Sequence, residues 1–156
     1  MTYGTRNLAK EMSMKKMLFE LELQLKDLSS FEHLPVLEET GSNPLDNSRA
    51  KAEIYFRFSY RPVFACDSGL HIEGSDSELQ PRVKIKRQSS KVLNDDEMID
   101  HYKKLSEGLG GRAVAHYGNA ILLILGDQKR WLMDDTIEET FYLVSRPHPA
   151  RVESFP

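Results

Sequence analysis

This sequence predicts an α+β domain: an antiparallel sheet of about five or six strands with two or three helices, mainly on one face. Three observations lead there. Ala52 to Cys66 alternates Ile54, Phe56, Phe58 and Tyr60 with Tyr55, Arg57, Ser59 and Arg61, and side chains alternate faces along a strand. Gly118-Asn119 sits between two short strand-like runs, a hairpin signal. Helical and strand-like stretches are segregated rather than strictly alternating, which favours helices packed on an antiparallel sheet.

A chain of 156 residues corresponds to one ordinary domain, 1–156, and 40% hydrophobic with 29% charged residues lies in the globular range. The longest apolar run, Ala120 to Leu125, falls well short of the roughly 20 residues that cross a bilayer. The opening residues lack the apolar core of a secretory signal. A single cysteine supports neither an internal disulfide nor a zinc framework. These features predict a soluble cytoplasmic protein. The net charge of −3 gives no global attraction to nucleic acid or an anionic membrane.

In chain order, the first expected element is a helix from Asn7 to about Leu28, on which Met14, Leu18, Leu21, Leu25 and Leu28 recur at helical spacing. Residues 38–50 are rich in Gly, Pro, Asn and Ser and read as a surface loop. The sheet-and-helix body runs over 52–145, beginning with the long strand. Leu70 to Glu73 reads as a short strand, and Arg82 to Arg87 as an edge strand protected by charge. The second helix has a box-like start, Asn94 with Glu97, and acids suited to the positive end of the dipole. Met98, Ile99, Tyr102 and Leu105 form its buried face, and Gly108, Gly110 and Gly111 end it. After the Gly118-Asn119 hairpin, residues 126–129 turn the chain again. Residues 134–145 combine acids that could cap a helix with a strand-like TFYLV, and read as a third helix. Residues 146–156 form a tail.

The order and size of these elements resemble those of the small dimeric chaperones that serve bacterial type III secretion, and of related single-domain adaptors. That resemblance implies a homodimer that binds another protein.

No cofactor fingerprint, metal box or catalytic constellation is legible. The glycines of Glu107 to Arg112 follow a helix, whereas a phosphate loop precedes one. Glu97 with His101 has metal-pair spacing but no second cluster, and Cys66 precedes a turn without an activating base beside it. What stands out is cationic: Tyr55, Arg57 and Arg61 on the predicted strand, Arg112 with His116, and Arg146 with His148. Arginine forks of this kind suit a carboxylate, a phosphate or a partner protein. A second group, Arg82, Lys84, Lys86, Arg87 and Lys91, carries no acid among its members and would suit a nucleic-acid backbone.

The reading is a non-enzymatic, cytoplasmic, dimeric protein-binding adaptor, chaperone-like or regulatory, with no catalytic residue, metal or cofactor. Two alternatives stand beside it. One is a nucleic-acid-binding regulator working through the basic strand 82–91. The other is a small-molecule enzyme or sensor for an anionic ligand.

Overall fold

The computed structural model describes residues 1–21, 23–37, 40–88 and 91–146; the side chains of residues 9, 87, 88, 129 and 131–137 are outside that description. The elements run β1 (Thr2–Tyr3), α1 (Leu8–Met17), α2 (Pro44–Ser59), β2 (Val63–Ile72), β3 (Arg87–Gln88), β4 (Lys91–Val92), α3 (Asp95–Gly108), β5 (Arg112–Gly126) and β6 (Lys129–Val144). Four strands are hydrogen-bonded in the order β1-β2-β5-β6, and β3 pairs with β4 separately. The sheet is mixed. β1 runs parallel to β2, with Thr2 opposite Val63 and Tyr3 opposite Phe64. β5 and β6 form a hairpin closed by Asp127 and Gln128.

The predicted antiparallel sheet of five or six strands is therefore corrected to three helices on a four-stranded mixed sheet. The largest revision concerns residues 44–72, read as a loop, a long strand over Ala52–Cys66, a turn and a short strand from Leu70; residues 44–59 are helix and Val63–Ile72 is one unbroken strand. Asn43 caps α2, its side chain accepting from the Asp46 amide at 2.8 Å, and Pro44 occupies the first turn. That is where a missing N–H costs nothing. The buried residues of α2 are Asn47, Ser48, Lys51, Ala52 and Tyr55, spaced as one helical face. Three of them are polar, so the apolar alternation of 54–60 dominated the pattern. Tyr60 ends the helix in the left-handed region (φ 51°), and β2 begins only at Val63.

α1 stops at Met17, well before the expected Leu28, because the chain must return to the sheet edge. The Tyr3 amide donates to the Lys26 carbonyl at 3.0 Å, and the Lys26 amide donates to Met1 at 2.9 Å. Gly118-Asn119 does not turn; β5 passes through it as one strand between β2 and β6. Pairing on both sides overrides a local turn preference. Residues 134–144 lie in β6 rather than in a helix, and Arg82 to Arg87 holds only a bridge from Arg82 to Leu70 before β3.

The described chain forms two compact units. Met1–Asp67 with Asn119–Thr136 makes the first. Its core is Leu28, Ala52, Tyr55, Val63, Ala65, Leu122 and Ile124. Ser68–Gly118 with the described part of Ile137–Pro156 makes the second, built on Leu70, Ile72, Tyr102, Ala113 and Ala115. In that unit α3 carries the capping box read from the sequence: Asn94 accepts from the Glu97 amide at 2.9 Å, and Glu97 accepts from the Asn94 amide at 3.0 Å. Replacing Asn94 by Ala should cost about 1 kcal/mol in urea unfolding, while Asn94→Ser should cost much less. Equal losses in the two variants would show that the cap does not hold this helix.

Candidate functional site

A carboxylate in the middle of a buried strand needs a reason. Asp67 follows Val63, Phe64, Ala65 and Cys66 on β2 and is only 6% exposed. Two side chains from α2, one turn apart, meet it. The Lys51 ammonium lies 2.7 Å from one carboxylate oxygen, and the Asn47 amide donates to the other at 2.9 Å. Both partners are themselves buried. An unbalanced charge here would cost several kcal/mol, and the ammonium and the two hydrogen bonds offset it. The Asn47 carbonyl oxygen accepts from the Gly41 backbone amide at 2.9 Å, which ties the loop before α2 to the same network.

The parallel pairing of β1 brings a second helix to this place. Gly4 donates to the Phe64 carbonyl at 2.8 Å, and a Cβ on Gly4 would lie 3.1 Å from the Tyr55 ring and 3.2 Å from Ala65. A side chain at this position would press on both, so glycine suits the close passage of the chain along β2. Three residues later Asn7 caps α1, accepting from the Lys10 amide at 3.2 Å while its own amide donates to the Thr5 hydroxyl at 3.2 Å. Lys10, in the first turn of α1, is close enough to Cys66 to act on its thiol, as is Lys51. Among the described residues the Lys10 ammonium has no ion-pair partner. Two ammonium groups and a helix N-terminus thus gather around the middle of β2, an arrangement suited to an anion.

Burial pushes the Cys66 thiol up, outweighing a hydrogen bond from the Tyr3 hydroxyl and the fields of Lys10 and Lys51. The Tyr3 hydroxyl is also raised, chiefly by burial. Cys66 is therefore a neutral wall of the site rather than a nucleophile. Among the described residues no three His, Cys, Asp or Glu side chains converge as a metal cage. A magnesium ion accompanying a polyphosphate keeps water and phosphate ligands and needs only one or two carboxylates from a protein.

The residues singled out from the sequence fall elsewhere. Tyr55 is buried in the first unit's core. Arg57 is exposed on α2, 3.7 Å from Glu53, and Arg61 is exposed in the loop before β2. In the second unit Arg112 lies over the Tyr142 ring at 3.6 Å, His116 stacks on His71 at 4.8 Å, and Arg146 is exposed. His148 lies outside the described residues. None of these donates to Asp67. Of the basic run, Lys86 pairs with Asp95 at 3.6 Å and Lys91 with Glu97, while Arg82 and Lys84 are exposed. The Arg87 side chain is outside the description.

Asn47, Lys51, Asp67, Lys10 and Gly41 were missed. The available signals were a lone acid inside an apolar strand and the Asn43-Pro44 helix start, which would have placed 47, 48 and 51 on one helical face.

A mixed α/β protein with an anion-suited site beside a parallel strand pair is the class these features define. The family model described as the Ham1 family matches residues 1–141, and the chain belongs to that family. A dITP/XTP pyrophosphatase of Lactococcus lactis is 35% identical over 70 residues, covering 45% of this chain and 35% of its own length. One from Bacillus anthracis is 27% identical over 138 residues, covering 86% of this chain and 67% of its own. The chain thus spans only about a third of the length of the first of these relatives. A HAM1 protein from Coxiella burnetii superposes with a TM-score of 0.73 over 98% of this chain and 77% of its own, at 23% identity. The Staphylococcus aureus Ham1 protein gives 0.64 over 90% and 69%, at 21% identity.

Membership of this family overturns the non-enzymatic adaptor reading and with it the protein-binding and regulatory roles. The likeness to secretion chaperones rested on an element order that the chain does not have. No helix among the described residues is long and apolar enough to cross a membrane.

Two outcomes follow from the site. Lys51→Met, which strands the Asp67 charge, should cost about 3–5 kcal/mol in urea unfolding, and adding Asp67→Asn should recover most of it. A double variant no more stable than Lys51→Met alone would contradict the pairing. The raised Cys66 thiol means the fold favours the neutral form. That contribution is full below the unfolded thiol's value and is lost as pH rises past 9. Wild-type stability should accordingly fall more steeply as pH rises above 9 than that of Cys66→Ala; identical slopes would contradict it.

Proposed function

We propose that this protein hydrolyses nucleoside triphosphates of the dITP and XTP type, yielding a nucleoside monophosphate and pyrophosphate. Family membership supports the reaction class, as do the relatives named dITP/XTP pyrophosphatase. The observation on this chain that carries the reading is the buried Asp67 held between Lys51 and Asn47, with Lys10 close to the neighbouring Cys66. The small-molecule alternative, an enzyme for an anionic ligand, is the one this supports. A cytoplasmic setting suits such a substrate.

In this reading Lys10 and the first-turn amides of α1 hold phosphate oxygens, and their charge offsets that of the substrate. A water molecule adds to the α-phosphorus, the bond from that phosphorus to the bridging oxygen breaks, and pyrophosphate leaves with the electron pair. One proton of the water passes to Asp67. Each of its oxygens accepts one hydrogen bond from Lys51 or Asn47 and keeps capacity for another. The two partners fix where that oxygen points, so the base is oriented before substrate arrives.

Pyrophosphate release from XTP, dITP, dGTP and dATP by the purified protein tests the proposal. Turnover of XTP and dITP well above dGTP and dATP is expected, with Asp67→Asn reducing it roughly 10²–10⁴-fold while the circular dichroism spectrum stays unchanged. Equal turnover by Asp67→Asn would remove Asp67 from the reaction, and no pyrophosphate from any substrate would overturn the proposal.

A further inference from the structure

We infer that Asn47 is a positioning residue for Asp67 and that the Gly41 backbone amide sets which way its side-chain amide faces. The inference rests on the reading of Asp67 as the proton acceptor and goes beyond it to the residues that aim it. A carboxylate held only by Lys51 could pivot about that single contact. Asn47 removes the freedom by donating to the second oxygen at 2.9 Å. It can do so only with its NH2 group toward Asp67, because a flipped amide would set oxygen against oxygen.

What prevents the flip is on the other side of the same group. The Gly41 N–H donates to the Asn47 carbonyl oxygen at 2.9 Å, a contact the flipped amide could not accept. Asn47 is only 2% exposed, so water does not compete for either end. Position 41 must also be glycine. A Cβ there would lie 2.3 Å from the Asn47 carbonyl oxygen, inside any tolerated contact, and 3.0 Å from its carbonyl carbon. Gly41→Ala therefore pushes Asn47 away from Asp67 without altering either functional group. The relay runs from Gly41 to Asn47 to Asp67, two hydrogen bonds in series that end on one carboxylate oxygen.

Two variants and two readouts test this. In Asn47→Asp a second carboxylate faces Asp67, and such a pair takes up a proton more readily than a lone carboxylate. The groups already acting around Asp67 are Lys51 from α2, with Tyr3 on β1 and Cys66 on β2, both of which respond to its charge. None of them changes in the variant. The acid limb of kcat against pH for XTP should move to higher pH in Asn47→Asp. In Gly41→Ala kcat should fall on the order of 10²-fold with KM nearly unchanged, the signature of a misaimed base. A raised KM at constant kcat would make Asn47 a substrate contact and overturn the inference, as would an unmoved acid limb.

The second readout needs no turnover. The 13C chemical shift of the Asp67 carboxyl, followed against pH in selectively labelled protein, should titrate at higher pH in Asn47→Asp than in wild type. Should wild type prove inactive on every nucleotide, the proposed function fails while this titration still decides the positioning claim. An unchanged titration there would overturn it. Gly41→Ala is the milder variant, and a shifted Asp67 carboxyl resonance in it supports the relay even where Asn47→Asp does not fold; an unmoved resonance contradicts it.

Discussion

The buried pairing of Asp67 with Lys51 is the constraint from which the rest of this structure follows. A carboxylate in the middle of a strand flanked by Val63, Phe64 and Ala65 is tolerable only with a countercharge and satisfied oxygens. That demand shapes α2. Its inner face carries Asn47, Ser48 and Lys51 as well as Ala52 and Tyr55, giving up apolar burial that a purely structural helix would keep. Replacing such a pair by well-packed apolar residues is often neutral or stabilising. Keeping it is therefore better explained by chemistry than by stability.

The second constraint is the parallel edge. Because β1 runs parallel to β2, the residues after Tyr3 emerge alongside the middle of β2. Gly4 allows the close approach, and the turn through Thr5 and Asn7 starts α1 at once, bringing Lys10 toward Cys66. The start of α1 thus lies beyond the carboxyl end of β1 and near the middle of β2. Cys66 itself fills space as a neutral group, raised by burial despite two nearby ammonium ions.

How much of this was legible follows from particular residues. The α3 cap and the glycine end at Gly110 and Gly111 were readable, because cap chemistry is local. The turn at residues 126–129 was readable for the same reason. The α2–β2 segment was not: an inner face with three polar residues carries little hydrophobic periodicity, while Ile54, Phe56 and Phe58 imitate a strand. Gly118-Asn119 imitated a turn that pairing on both sides of β5 overrides. The site was missed for one reason with two faces. Reading cations by their clustering favoured exposed arginines, whereas Lys10 and Lys51 are isolated in sequence and both come near Cys66 only through the fold. Local rules fail most where function departs from them.

The most direct test of the central claim locates the atom at which water attacks. XTP would be incubated with the protein in 18O-labelled water and the products followed by 31P NMR. If water adds at the α-phosphorus beside Asp67, label is expected in the nucleoside monophosphate and none in the released pyrophosphate. Label in pyrophosphate, or formation of orthophosphate with a nucleoside diphosphate, would contradict it.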